Sequence, residues 1–255
     1  VINTFNGKTI LVTGGAGSIG SEIVNQLAKF NPNQIIILDQ AETPLNSIQI
    51  SISAAFPNVI CKYKLVDVTN KAEVTKLFQK YQPDIVFHAA ALKQVPACEY
   101  FPYEAVRTNI EGAENIVRAI KELRLNIETV VAISTDKACK PTNVMGMTKA
   151  IQERIFLTAN IDCPKTRFVA VRYGNVLASR GSVVPLFLDQ IEAGGPITLT
   201  DKKMTRFLLT LDQAVDTVFE AMQFAEAGET YIPKIKAALI VDVVNALVGK
   251  KKIEV

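Results

Sequence analysis

"LVTGGAGSIGSE", residues 11–22, is the stretch from which the fold follows. An apolar run ends at Thr13, Gly14, Gly15, Gly17 and Gly20 crowd the positions after it, and Ile19, Ile23, Val24 and Leu27 then recur at helical spacing. A strand that turns through glycines straight into a helix lets helix N-terminal N–H groups approach a pyrophosphate that a Cβ would block. A glycine fingerprint by itself is weak, and its plain alternative is a tight strand–helix turn. Here a second strand, "QIIILD" (34–39), ends in Asp39 about 20 residues on, which is the acidic partner a dinucleotide site requires. Gly14, Gly17, Ser18, Ile19 and Gly20 are therefore assigned to the cofactor, with Asp39 on the ribose hydroxyls. A carboxylate there repels a 2′-phosphate, and no arginine follows in "DQAETP", so the expected cofactor is NAD rather than NADP.

Working outward, the same alternation continues. "TILVT" (9–13), "QIIILD" (34–39), "KLVDV" (64–68), "DIVFHAA" (84–90), "TVVAIST" (129–135) and "FVAVRYG" (168–174) read as strands, with helix-period segments such as Val74, Leu77, Phe78 and Tyr81 between them. Val- and Ile-rich strands separated by helices imply a parallel sheet covered on both faces. The expected fold is α/β, a Rossmann-type doubly wound parallel sheet with a small C-terminal substrate-binding region. Residues 1–174 are expected to form the NAD-binding domain, and residues 175–255 a substrate-binding region, incomplete and interleaved with the first. In that region "SVVPLFLDQIEAG" and "LDQAVDTVFEAMQFAEAG" read as helices and "ITLT" (197–200) as a short strand. Asp67, at the end of the third strand, either accepts from the adenine amino group or caps the helix beginning near Lys71. Val68 and Ala89, at the ends of the third and fourth strands, complete the cofactor set.

Composition narrows the classes. The 255 residues are 49% hydrophobic and 21% charged, an ordinary globular balance. A net charge of +3 is too small and dispersed for a nucleic-acid partner, and Lys250-Lys251-Lys252 reads as a solvated helix end. No apolar run reaches the roughly 18 residues of a membrane span, and "VINTFNGK" lacks the apolar core of a secretory leader, so a cytoplasmic location is expected. Cys61, Cys98, Cys139 and Cys163 show no CxxC spacing, which predicts free thiols and no metal site. The single histidine, His88, leaves little room for histidine-based hydrolysis or metal binding.

The chemistry concentrates in "ISTDKACKPTNVMGMTKA" (133–150), where a hydrophobic strand delivers an acid, Asp136, beside an amine, Lys137. The pair is either an acid–base couple or a surface ion pair. Neighbours on a strand point to opposite faces, so joint action on one substrate predicts that the strand has ended by Thr135–Lys137.

With "LVTGGAGSIG", the motifs HAAALKQVP (88–96), RTNIEG (107–112), STDKA (134–138), MGMTK (145–149), RYGNVLASRGSV (172–183) and MTRF (204–207) resemble extended short-chain dehydrogenase/reductases of polysaccharide biosynthesis. Within that family the likeness is greatest to inverting UDP-N-acetylglucosamine 4,6-dehydratases, some of which are also 5-epimerases, and it covers residues 8–255. The resemblance implies a lyase with internal hydride return, a UDP-sugar as partner and a homo-oligomer. It implies that Lys137 takes the C5 proton, that Asp136 protonates the departing 6-hydroxyl, and that Lys149 holds the nicotinamide ribose. Most of the superfamily has a tyrosine four residues before that lysine; here Met145 stands there and neither gives nor takes a proton. Thr135 is then expected as an orienting group or relay. Lys93 and Asn109 are carried over as lining the substrate cleft, Asn175, Arg180 and Ser182 as holding UDP, and Arg206 as a further phosphate contact. Gln94 occupies a position where many relatives have histidine, and His88 is expected to be packed near the cofactor. Two alternatives remain: a UDP-hexose 4-epimerase, and a non-catalytic nucleotide-binding protein, which Met145 favours.

Overall fold

The computed structural model describes residues 4–177 and 183–249. The first half alternates strictly: β1 (Thr9–Thr13), α1 (Ser18–Leu27), β2 (Gln34–Asp39), α2 (Glu42–Ala55), β3 (Cys61–Leu65), α3 (Lys71–Tyr81) and β4 (Ile85–His88). Then come the short helices α4 (Val95–Tyr100) and α5 (Pro102–Val106), a π-helical turn over Arg107–Glu111, α6 (Gly112–Glu122), β5 (Thr129–Ile133), α7 (Val144–Asp162) and β6 (Arg167–Val171). The remainder comprises β7 (Asn175–Val176), α8 (Val183–Glu192), β8 (Thr205–Leu209), α9 (Leu211–Phe224), β9 (Thr230–Tyr231), β10 (Ala237–Leu239) and α10 (Ile240–Val248).

Among the described residues, the main sheet has the order β3-β2-β1-β4-β5-β6-β9, with every pairing parallel. The order reverses between β1 and β4, the switch point where ligands of doubly wound sheets bind. Alternate side chains feed two cores. Ile10, Val12, Ile35, Ile37, Val131 and Val169 face α1, α2 and α9, while Leu11, Ile36, Val130 and Phe168 face α3, α6 and α7. Both faces are covered, so the strands read as continuous apolar runs. α9 starts with a reciprocal cap in which Thr210 accepts from the Gln213 N–H and the Gln213 side chain accepts from the Thr210 N–H. It sends Phe219 into a cluster with Phe5 (4.9 Å between ring centres), Phe87 (5.8 Å) and Phe30 (6.3 Å). Truncating a buried phenylalanine of this kind costs about 3–5 kcal/mol.

The chain after residue 174 therefore serves two bodies. Residues 211–231 supply a helix and an edge strand to the main sheet, whereas β7, β8 and β10 form a separate small sheet. Beside that sheet a satellite core gathers Phe187, Ile191, Ile197, Ile240 and Val244.

Five strand assignments need correction. The third strand lies at Cys61–Leu65, upstream of "KLVDV", because it is a sheet edge whose solvent side carries Lys62 and Lys64 and so lacks an apolar run. "ITLT" is not a strand: Ile197 anchors a loop in the satellite core, and the strand is β8, which contains Arg206. The fourth, fifth and sixth strands stop at His88, Ile133 and Val171, short of the ends of their apolar runs, so the residues that follow turn over the sheet's carboxyl edge. All four cysteines are free thiols. Among the described residues no helix is long and apolar enough to cross a membrane.

Candidate active site

Two adjoining cavities open along the carboxyl ends of the strands and share Ala89 and Ala91. The first is bordered by Gly14, Gly17, Asp39, Asp67, Val68 and Thr108, among others. Its shape is set by backbone. Gly14 has φ +63°, and a Cβ there would lie 2.5 Å from the Ala90 nitrogen. α1 begins at Ser18 with Gly17 as its N-cap, a residue with no side chain to cap the helix. Asp39 is oriented through both oxygens, accepting from Ala16 N (2.9 Å) and Ala41 N (3.0 Å). Asp67 accepts from Thr69 N (2.8 Å), and the cap of α3 is Asn70, so the capping alternative for Asp67 is excluded.

The second cavity is bordered by Ile19, Lys93, Thr135, Lys137, Met145, Lys149, Tyr173 and Asn175, with others. Here β5 has ended and Asp136–Ala138 form a single 3₁₀ turn, held by the bonds Ser134 N–Val171 O (2.8 Å) and Asp136 N–Tyr173 O (3.0 Å). The turn brings both charged side chains to one side. Asp136 Oδ1 accepts from Lys137 Nζ (3.0 Å) and from the Thr135 hydroxyl (2.9 Å), and Lys137 also reaches Asn175 Oδ1 (3.4 Å). Each side chain of the ion pair is about one-third exposed, so its Coulomb gain is modest and the pair stays open to solvent and ligand. α7 presses directly on this turn: a Cβ on Gly146 would collide with the Lys137 carbonyl oxygen.

Behind the cavity lies a buried polar layer. Lys149, 6% exposed, donates to Ile133 O (2.6 Å) and Gln152 Oε1 (2.5 Å). Burial pulls its amine down to about 7, against a smaller upward pull from Glu153. Glu153, 2% exposed, accepts from the Ser134 hydroxyl and takes a two-pronged grip from Arg172 (2.8 and 2.5 Å). This ties α7, the end of β5 and the end of β6 into one unit. His88 is fully buried, with Nδ1 2.8 Å from the Thr13 hydroxyl. Burial first, then the Lys149 charge, lowers its pKa to about 3, so it remains a neutral packed ring. Met145 is buried with Cys98 and Ala105 and forms the apolar wall beside Lys149.

The cleft thus brings together Gly14, Gly17, Asp39, Asp67, Val68 and Ala89 at one end, and Ile19, Lys93, Thr135, Lys137, Lys149 and Asn175 at the other. Ser18 opens α1, and Gly20 lies within its first turn, beneath the glycine loop. Asp136 stands behind Thr135 and Lys137 and does not itself border the cavity. Asn109 corrects an expectation. It is wholly buried, bonded to both polar backbone atoms of Leu92 (2.8 and 3.0 Å) and to the Thr148 hydroxyl (2.9 Å), so it braces the segment carrying Lys93 and does not line the cleft. Arg206 lies on β8, bonded to Thr205 O (2.8 Å), away from the cavity lining. Arg180 and Ser182 fall outside the described residues. The Ser134–Glu153–Arg172 link was not read from sequence. Its only signal was an acid four residues beyond Lys149, among the apolar positions of a helix.

Comparisons with known proteins accord with this geometry. Residues 10–255 match the family described as polysaccharide biosynthesis protein. The chain is 46% identical to the capsular polysaccharide biosynthesis protein CapD of Staphylococcus aureus over 96% of its own length and 41% of that protein's, so it spans less than half of that relative. It is 40% identical to the UDP-N-acetylglucosamine 4,6-dehydratase (inverting) of Campylobacter jejuni (95% of this chain, 72% of the other). It is also 40% identical to the UDP-glucose 4-epimerase of Rickettsia bellii (96% and 71%). Among solved structures, Pen from Bacillus thuringiensis superposes with a TM-score of 0.88 at 36% identity, over 97% of this chain and 74% of that one. Bordetella bronchiseptica WbmF, solved with NAD+, shares the fold at a TM-score of 0.81 and 18% identity (98% and 81%).

Proposed function

The chain belongs to the polysaccharide biosynthesis protein family, and from that premise we propose that it is an NAD-dependent nucleotide-sugar 4,6-dehydratase acting on UDP-N-acetylglucosamine. The carrying observation is the turn after β5, which presents Thr135 and Lys137 to the cavity with Asp136 bonded to both. The first cavity fits a dinucleotide: it lies at the glycine turn between β1 and α1, where a Cβ on Gly14 would meet the Ala90 backbone, and the Asp39 carboxylate is held ready for ribose hydroxyls. Gly14, Gly17, Asp39, Asp67 and Val68 would hold the adenosine and phosphates, and Lys149 the nicotinamide ribose. Bound there, NAD would supply the hydride acceptor for sugar C4 and the hydride donor for C6.

The chain's own side chains manage the protons. Thr135 orients the 4-hydroxyl and relays its proton to Asp136, replacing the phenol that Met145 cannot supply. Lys137, as the free amine, removes the proton at C5, made acidic by the ketone at C4. Asp136 passes its proton, through the Thr135 hydroxyl bonded to it, to the 6-hydroxyl, which leaves as water, and Lys137 reprotonates C5 after C6 is reduced. Atoms balance as the loss of one water. Asn175, within reach of Lys137, and Lys93 border the sugar side.

Incubation with UDP-N-acetylglucosamine in deuterated water tests this reading. A product lighter by one water and labelled at C5 supports it. A product of unchanged mass with C4 inverted would establish the second reading, a UDP-hexose 4-epimerase, which the Rickettsia bellii relative favours. An epimerase has no elimination to perform and leaves Asp136–Lys137 without a task. Unaltered substrate would leave a nucleotide-binding protein only.

A further inference from the structure

Gln152 is a costly residue for its position. It is 1% exposed, and its amide nitrogen is buried with no hydrogen-bond partner among the described residues. A leucine or methionine would fill the space without that unpaired donor. What the glutamine does supply is one strong acceptor: its Oε1 lies 2.5 Å from the Lys149 amine, whose other partner is the Ile133 carbonyl at 2.6 Å. Lys149 and Gln152 are three residues apart on α7, so a single helical turn presents amine and acceptor on one face, against the ends of β4 and β5. Phe156, one turn further on, packs on His88 at 5.1 Å and fixes the face that carries them.

We propose that Gln152 is a positioning residue for Lys149: with the Ile133 carbonyl it holds the amine at the back of the cleft, oriented toward the ribose of a bound dinucleotide, and governs the amine's charge. The last step rests on the cofactor reading above; the grip on the amine does not. A neutral amide is the apt partner. It anchors the ammonium without neutralising it, whereas a carboxylate would lock the charge on, and an alkyl group would let the buried amine shed its proton. The other titratable groups facing this junction are Glu153, His88, Arg172, Tyr173, Asp136 and Lys137, while Arg154 and Asp162, also on α7, are exposed. Of these, Glu153 is bonded to Arg172 and Ser134, and Asp136 to Lys137 and Thr135.

The test follows the Lys149 side chain by carbon-13 NMR in lysine-labelled, nucleotide-free protein, with Lys149→Arg identifying the signal. Wild type is expected to titrate near neutrality, Gln152→Glu about one unit or more higher, and Gln152→Met lower. NAD affinity, measured by calorimetry, is expected to fall by about tenfold in Gln152→Met, the equivalent of about 1.4 kcal/mol. If Gln152→Met does not fold, the near-isosteric Gln152→Glu decides through its titration. Titration midpoints that agree among wild type and variants overturn the proposal, because a space-filling glutamine would not move them. Midpoints that shift while NAD affinity stays constant overturn the ribose-directing part. Failure of wild type to bind NAD would sink the cofactor reading instead, with the titration still deciding the role of Gln152.

Discussion

The two ends of the cleft are built in different ways. The end that fits adenosine is made of backbone: a glycine turn, a helix start whose N-cap is a glycine, and one carboxylate fixed by two N–H groups. The other is made of side chains in layers, with Thr135 and Lys137 in front, Asp136 behind them, and a buried layer of Lys149, Gln152, Glu153 and Arg172 beneath. Backbone sites resist side-chain exchange but not an added Cβ. Layered sites invert that rule, since each front residue owes its position to one underneath.

The largest expected effect separates the ends most sharply. Lys137→Ala or Asp136→Asn should lower turnover of UDP-N-acetylglucosamine by about 10²–10⁴-fold, the usual weight of a general acid or base, with NAD affinity unchanged. Product mass and calorimetry would read the two quantities, and parallel losses would show that the ends are not separable. Glu153→Ala should destabilise the fold by about 1–3 kcal/mol in urea unfolding, because the buried Ser134 hydroxyl would lose its acceptor and the partly exposed Arg172 its counter-charge. A loss below about 1 kcal/mol would mean that the Glu153–Arg172 pair carries no more than a surface ion pair does.

Next in size is an acid effect from His88. Its folded pKa of about 3 lies below the ordinary 6.5, so as pH falls through 6.5 the unfolded chain takes up a proton that the folded chain refuses. Stability should therefore decline between about pH 6.5 and about pH 3, and His88→Asn should flatten that part of the melting-temperature profile. The smallest effect belongs to the backbone end. Gly14→Ala places a side chain at φ +63°, a strain of about 1–2 kcal/mol, and sets its Cβ 2.5 Å from the Ala90 nitrogen so that the cavity wall must shift; NAD should bind more weakly while turnover at saturating NAD is retained. Lost turnover at saturation would show that the cradle also aligns the chemistry.

The two ends also differed in how far they could be read from sequence. The cradle lies within one short stretch, and its acid follows at a fixed distance, so residues 11–39 sufficed. β1, β2, β4, β5 and β6 were legible because burial on both faces leaves unbroken apolar runs. β3 was not, since an edge strand alternates, and β8 was not, since it faces solvent in a three-stranded sheet. Asp136 and Lys137 announced themselves by adjacency, and the end of the strand before them followed from geometry. Asn109 misled because a polar residue in a motif looks the same whether it meets a ligand or braces a loop. Arg172 acquires meaning only through contacts across α7, β5 and β6, and Gln152, three residues after Lys149, carries no sign in the sequence that its acceptor is buried against that amine.

The return of the chain to its own sheet has a consequence during synthesis. One face of β1, β4 and β5 is closed by α9, which is translated roughly eighty residues after Val131, and at about 5–20 residues per second that interval lasts several seconds or more. Throughout it Phe5, Phe87 and Val131 form a sticky nascent surface. Ribosome-associated chaperones should engage the growing polypeptide in that window and release it once Phe219 has emerged.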